Sequence, residues 1–256
     1  MTTCPVKKQS TRIFLLSFSL LFIPGCGSEH SNRFADDFSA QTLSEELWII
    51  DKKGLCEIST GEGALLGKEK PLRIRAGPKS RCEVVPLVFP GLLGRYRHEP
   101  FHQDRWYEFS FYLKDPWQAG KQNEILAQWH AAPDFALGDV PSRGPPLALR
   151  IYGDQFRVTS GWDTDFISSR KWIARTPLWS GPVQTGRWLT WRFRVRWSYE
   201  EDGLIQAWLN DRLIIEHKGP NAYNDLRGVY LKLGVYHPNF DREVYLDDVF
   251  VADQAP

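Results

Sequence analysis

Three short stretches of the chain place chemically capable side chains at even spacings, which puts them on one face of a β-strand. Gln128 and His130 close the run NEILAQWH at 123–130, whose Ile125, Ala127 and Trp129 are expected to face a core. Lys232 and Tyr236 project from VYLKLGVY at 229–236, opposite an apolar side made of Val229, Leu231, Leu233 and Val235. Gly234 between them reads as a gap where a bound molecule could approach the backbone. Arg81 and Glu83 share a face in Ser80-Arg-Cys-Glu-Val84. Taken singly, each pair also fits an ordinary hydrogen-bonded surface. Together they offer an imidazole and a phenol to move protons, and an amide and two cations to neutralise an anion.

The elements that must hold these groups are strands. Period-two runs occupy 106–113, 123–130, 147–153, 155–161, 188–197, 204–210, 212–218, 229–236 and 243–252, separated by Gly, Pro, Asn and Asp. Asn210-Asp211 between two of them predicts a tight hairpin turn. Gln41–Leu47 is expected to form a helical turn or two, and 131–146 and 162–187 read as long loops. The expected fold is all-β: a single-domain jelly roll, or concanavalin-like two-sheet sandwich, with a concave groove. In WLTWRFRVRW at 188–197 the apolar side faces the core and Arg192, Arg194 and Arg196 face outward, as a solvated stripe or as the floor of a groove for an anionic polymer.

Composition narrows the partners. The net charge of +1 gives no general attraction to nucleic acid or to an anionic membrane, and nucleic acid is not expected as a partner. Eleven tryptophans are a high count, most of them expected in the core, and Trp162, Trp172 and Trp179 are candidates to stack on sugar rings. Lys7, Lys8 and Arg12 precede the apolar run IFLLSFSLLFIPG, which has the form of an export signal. Its end, Ile23-Pro-Gly-Cys26, resembles a bacterial lipobox. The implied organisation is a signal at 1–25, a tether at 26–32 beginning with a lipidated Cys26, and one folded domain at 33–256. Membrane association is expected through the lipid alone, with a monomeric domain in the periplasm or at the cell surface. In that oxidising compartment the remaining pair, Cys56 and Cys82, is expected to form a disulfide.

The strand motifs resemble those of the jelly-roll polysaccharide lyases: glucuronan lyases, heparin lyase I and the related alginate lyases. That family carries an Arg-x-Glu strand, a Gln-x-His strand and a Tyr-Phe-Lys-x-Gly-x-Tyr strand, in this order. Here they are matched by Arg81-Cys-Glu83, Gln128-Trp-His130 and Tyr230-Leu-Lys-Leu-Gly-Val-Tyr236. Phe34-Ala-Asp-Asp-Phe38 and Val244-Tyr-Leu-Asp-Asp-Val249 resemble the opening and closing strands of such sandwiches. Val84 and Val85 stand where alginate lyases tend to carry a second arginine, and His237-Pro238 where they tend to carry Asn-Gln. Gln-Trp-His and Gly219-Pro-Asn-Ala-Tyr-Asn224 bring the chain nearer the glucuronan and heparin lyase group.

The resemblance implies β-elimination on an anionic, uronate-containing polysaccharide, with Arg81, Gln128, His130, Lys232 and Tyr236 as catalytic residues. Gln128, with Arg81 or Lys232, would neutralise the uronate carboxylate; His130 would take the proton when it lies on the imidazole side, and Tyr236 would protonate the departing O4 and, in a syn elimination, act as base as well. Glu83, Tyr230, Arg150, Trp162 and Asn221 are the expected substrate contacts. The scheme requires no cofactor, although Asp36, Asp37, Asp247 and Asp248 could hold a structural Ca²⁺ where the end strands meet. A glycan-binding lipoprotein without activity is the alternative on the same fold. A glycoside hydrolase would need a carboxylate pair, which Glu57, Glu62 and Glu124 do not persuasively supply.

Overall fold

The alternating runs form fifteen strands among the residues described by the computed structural model, namely 33–60, 67–87, 96–140, 143–168 and 175–256. Cys26, Glu62, Trp172 and the expected signal and tether lie outside these residues. In chain order the strands are β1 (Phe34–Asp36), β2 (Trp48–Lys53), β3 (Cys56–Thr60), β4 (Leu72–Ala76) and β5 (Arg81–Pro86). Next come β6 (Asp104–Leu113), β7 (Gly120–His130), β8 (Leu147–Gly153), β9 (Gln155–Gly161) and β10 (Arg175–Pro182). The last five are β11 (Trp188–Arg196), β12 (Leu204–Leu209), β13 (Arg212–Lys218), β14 (Tyr230–Tyr236) and β15 (Arg242–Ala252).

They build two antiparallel sheets. One runs β13-β12-β11-β6-β15-β4-β3, with β1 added against β15, and the other runs β10-β9-β8-β7-β14-β5-β2. The core between them is aromatic: Tyr107, Phe109, Trp129, Trp191, Phe193 and Trp197 are fully buried, and Trp197 donates its indole N–H to the Tyr107 hydroxyl at 2.9 Å. Val229, Leu231, Leu233 and Val235 all lie in this core, so the opposite side of β14 faces outward from the seven-stranded sheet. Asn210 and Asp211 both take positive φ, the geometry of a two-residue hairpin whose twist matches its strands.

Several expectations are corrected. The segment 162–187 is not one loop, because β10 lies within it. Its two prolines hide it in the sequence, and they are tolerated because β10 is the outermost strand of its sheet. Gln41–Leu47 contributes only a hydrogen-bonded turn, with the N–H groups of Leu47 and Trp48 donating to the Ser44 carbonyl. The arginine stripe of β11 belongs to the other sheet and is neutralised in place. Arg192 pairs with Glu108 at 2.6 Å, and Arg196 with Asp104 at 2.8 Å.

The end-strand carboxylates have partners within the protein. Asp36 accepts the Trp48 indole N–H at 2.6 Å, Asp37 accepts the Ser39 N–H, and Asp248 is paired with Lys68. Burial raises the Asp247 carboxyl to about 6.

Cys56 and Cys82 are joined by a disulfide that ties β3 in one sheet to β5 in the other. It closes a loop with a sequence separation of 26. The double substitution Cys56→Ala/Cys82→Ala should lower unfolding free energy by about 3 kcal/mol, read by urea denaturation, if closure entropy dominates.

Candidate active site

On the outward face of the seven-stranded sheet, β14 lies between β7 and β5 and sets the order of the site residues. Tyr230 stands opposite His130 and Lys232 opposite Gln128 on β7. Gly234 stands opposite Glu83 and Tyr236 opposite Arg81 on β5. Along β14 the succession is therefore imidazole, then amide and ammonium, then carboxyl, then phenol beside guanidinium.

Gly234 makes this succession possible. Its φ is 140°, and a Cβ there would sit 2.3 Å from the Cys82 carbonyl oxygen. The space beside it is thus taken by the β5 backbone, not left open for a substrate. The register against β7 also shifts between Leu233 and Tyr236, a bulge that brings Tyr236 opposite Ile125. A second shift in β7, between Ile125 and Ala127 against β8, puts Leu126 into the core in place of Ile125. Ile125 was expected inside; it lies on the site face.

The polar side chains are bonded to one another. Asp51 on β2, directly across from Glu83, accepts from Lys232 Nζ at 2.6 Å and from Arg81 Nη1 at 2.9 Å. Glu83 accepts from Gln128 Nε2 at 2.5 Å, and its other oxygen lies 3.4 Å from Arg81 Nε. The Arg81 guanidinium covers the Tyr236 ring at 4.4 Å. Tyr230 stacks on Tyr96 at 4.5 Å and lies 5.4 Å from the His130 ring.

Burial raises the Glu83 carboxyl against the opposing pull of Lys232, Gln128 and Arg81. Burial also works on Asp51, but there the Lys232 hydrogen bond and charge, helped by Arg81, win and hold the carboxyl below its usual value. Arg81 is buried enough to weaken its charge, yet Glu83, Asp51 and Tyr236 outweigh this and keep it protonated. Two cations thus face one firmly ionised carboxylate and one reluctant one.

His130 is different in kind. Its Nδ1 lies 2.7 Å from the Ala131 carbonyl oxygen, which can only accept, so Nδ1 carries the hydrogen and Nε2 keeps a lone pair. Burial first, and the Lys232 charge second, lower the imidazole to about 4. At neutral pH it is an uncharged acceptor.

The structure therefore brings Arg81, Gln128, His130, Lys232, Tyr236, Glu83 and Tyr230 together. Glu83 is fully buried and supports Gln128 and Arg81, so the expected substrate contact is an internal brace. Asn221 does not join them. It is fully buried, accepting from Ser198 N at 3.0 Å and donating to the carbonyls of Arg196 and Leu204, where it closes a turn. Arg150 lies on the same sheet face in β8 and donates to Thr159 at 3.1 Å. Trp162 is half-exposed just beyond β9, while Trp179 packs against the core tryptophan Trp191 at 6.0 Å. Glu124, a hydrolase candidate, is locked to Arg242 at 2.6 Å.

Asp51 escaped the sequence reading because WIIDKK shows no clean alternation, and Tyr96 because it lies in an irregular segment. Beyond His130 the chain is held by a buried cluster. Arg143 pairs with Asp225 at 2.7 Å and Asp139 at 3.3 Å, and Asp134 accepts the Leu226 N–H.

Fold and polar face together define a jelly-roll protein whose site is built across adjacent strands of one sheet. The chain belongs to the polysaccharide lyase family, whose model matches residues 78–250. Its structure is similar to that of an endo-beta-1,4-glucuronan lyase from the fungus Trichoderma reesei. The TM-score is 0.64 at 17% identity, covering 86% of this chain and 94% of that one. It is also similar to the cellulose induced protein Cip1, with a TM-score of 0.57 at 15% identity over 86% of this chain and 97% of the other. An alginate lyase, AlgAT5 from polysaccharide lyase family 7, overlaps with a TM-score of 0.49 at 12% identity, covering 76% and 81% of the two chains. No curated protein sequence matches the chain.

Asp51→Asn removes the charge that compensates the buried Lys232. It should destabilise the fold by on the order of 3 kcal/mol, measured by urea denaturation, with Asp51→Glu recovering part of the loss.

Proposed function

We propose that this chain is an exported lyase that cleaves a uronate-containing polysaccharide by β-elimination. The observation that carries the reading is the order across β14, with His130 at one end of the charged cluster and Tyr236 at the other. A sugar lying over Lys232 and Gln128 has a proton acceptor on one side and a proton donor on the other.

The chemistry follows from what a uronate resists. Its C5 proton is hard to remove because the adjacent carboxylate is already negative. Arg81, with the remaining amide hydrogen of Gln128, neutralises that carboxylate and the charge that develops as C5 is deprotonated. His130 Nε2 takes the C5 proton where that hydrogen lies on the imidazole side, and the Tyr236 oxygen takes it where C5–H and O4 share a face, as in a glucuronate; the C4–O4 bond breaks as a C4–C5 double bond forms, and the Tyr236 hydroxyl delivers a proton to the departing O4. Asp51, Glu83 and Lys232 act by positioning, holding Arg81 and Gln128 in place. No step calls on a metal.

The likeness to a glucuronan lyase makes polyglucuronate the first polymer to try. The disulfide supports an oxidising compartment, in keeping with export and lipid attachment through Cys26.

Incubation with polyglucuronate, alginate and heparan-type polymers should give the ultraviolet absorbance of unsaturated uronate ends with at least one of them. Tyr236→Phe should lower turnover about a hundredfold or more while polymer binding persists. Turnover should fall as pH drops through about 4, where His130 becomes protonated and loses its lone pair. A folded wild type that binds these polymers yet releases no unsaturated ends would instead be a glycan-binding protein.

A further inference from the structure

Eleven large apolar side chains stand exposed among the described residues, and they are not spread evenly. Six of them, Phe135, Leu137, Trp162, Phe166, Ile167 and Leu226, lie in three loops, which follow β7, follow β9 and precede β14. Hydrogen bonds show that the loops meet. Val140 N donates to the Ser168 carbonyl at 3.2 Å, Asn224 N to the Asp163 carbonyl at 3.1 Å, and Leu226 N to Asp134 at 2.8 Å. Leu226 is 65% exposed and Phe135 60%, so these side chains point to solvent and do not form the rim of the core.

The buried ion cluster beyond His130 holds them out. Arg143 donates to Asp225 at 2.7 Å and to Ser168 at 3.0 Å, and lies 3.3 Å from Asp139, so it has a partner in each loop. The Ser168 N–H donates to Asp139 at 2.7 Å. Burying such charges costs desolvation, and here it fixes three loops in one outward arrangement. A contiguous apolar surface presented in this way marks an interaction site.

The occupant follows from where the chain enters the domain. Phe34 of β1 pairs with Val251 at the end of β15, whose Ala252 pairs with Trp106 near the start of β6. Asp104, where β6 starts, pairs with Arg196, where β11 ends. Just beyond, the Ser198 carbonyl accepts the N–H groups of Asn221 and Ala222, at the approach to the loop that carries Leu226. Arg33 therefore enters at the end of the sandwich that carries the apolar loops. Cys26 precedes Arg33 by seven positions, a reach of at most about 25 Å when fully extended. Exposed Asp165 beside Phe166 and exposed Arg227 beside Leu226 oppose each other in sign, which leaves the surface without a cationic collar.

We propose that this apolar end of the sandwich seats in the lipid bilayer. The choice of occupant rests on the lipid attachment at Cys26 proposed above. The lipid retains the protein, and the loops set its orientation. The strands then stand upright on the membrane, and the face carrying His130, Lys232 and Tyr236 opens sideways, along the membrane surface.

The test uses the mature chain, residues 26–256, with Cys26→Ser, which keeps the whole folded domain and reads the loops without a lipid. Flotation with phosphatidylethanolamine–phosphatidylglycerol vesicles should recover the protein with the lipid, at about 0.1 M and about 1 M salt alike. Phe135→Ser/Phe166→Ser/Leu226→Ser should lower the bound fraction about tenfold or more, with thermal melting to verify folding. A polarity-sensitive fluorophore on Leu226→Cys should shift to the blue when vesicles are added. The same label on Leu213→Cys, beside the 210–211 turn at the opposite end, should not. Absence of binding, binding that the triple variant retains, or an equal shift at both labels overturns the proposal. So does a dimer formed without vesicles and lost in the triple variant, which would assign the surface to a second copy of the chain. An inactive wild type ends the lyase reading alone, because flotation decides the loops without turnover.

Discussion

One carboxylate, Asp51, receives both cations of the candidate site. Lys232 is only 2% exposed, and a buried ammonium left without a carboxylate partner costs stability. Because Asp51 takes Lys232 and Arg81 together, the two hold a fixed separation, and Arg81 is left lying over Tyr236. Glu83 completes the arrangement from below by taking Gln128. The groups that face outward, Arg81, Tyr236 and His130, are thus fixed by groups that do not. This is preorganisation in the electrostatic sense: the orientation of the charges is settled before any substrate arrives.

The parts of this arrangement legible from sequence were those carried by uninterrupted alternation. β14 shows four apolar residues at even spacing, which fixes the outward side of Lys232 and Tyr236. β11 is as clear, with Leu189, Trp191, Phe193 and Val195 all fully buried. The family motifs then indicate which strands belong together, a long-range pairing that no local pattern contains. What alternation cannot show is its own interruption. The bulges near Ile125 and Gly234 change which neighbour meets which; the glycine marks the second, and nothing in composition signals the first. Asp51 was hidden in a short strand beside two lysines. Asn221 was misplaced because a motif identifies a residue type without saying which way the chain turns beneath it.

The two sheets also show why an outward arginine is not by itself a binding signal. On the eight-stranded sheet arginines and carboxylates alternate across strands and cancel locally, which contributes little stability and leaves little field. On the seven-stranded sheet Asp51 and Glu83 are gathered at one cluster, where they take Lys232 and Arg81. The gathering of charge, not the number of charges, distinguishes the two faces.

The disulfide has a consequence beyond entropy. Cys82 is flanked by Arg81 and Glu83, and its sulfur is fixed in the core by Cys56 on the opposite sheet. Bonding a residue inward forces both of its neighbours outward. A one-residue slip of β5 would present Cys82 and Val84 to the groove and drive Arg81 and Glu83 into the core, and the covalent link forbids it. The bond thus acts as a parity lock, excluding every register of odd displacement.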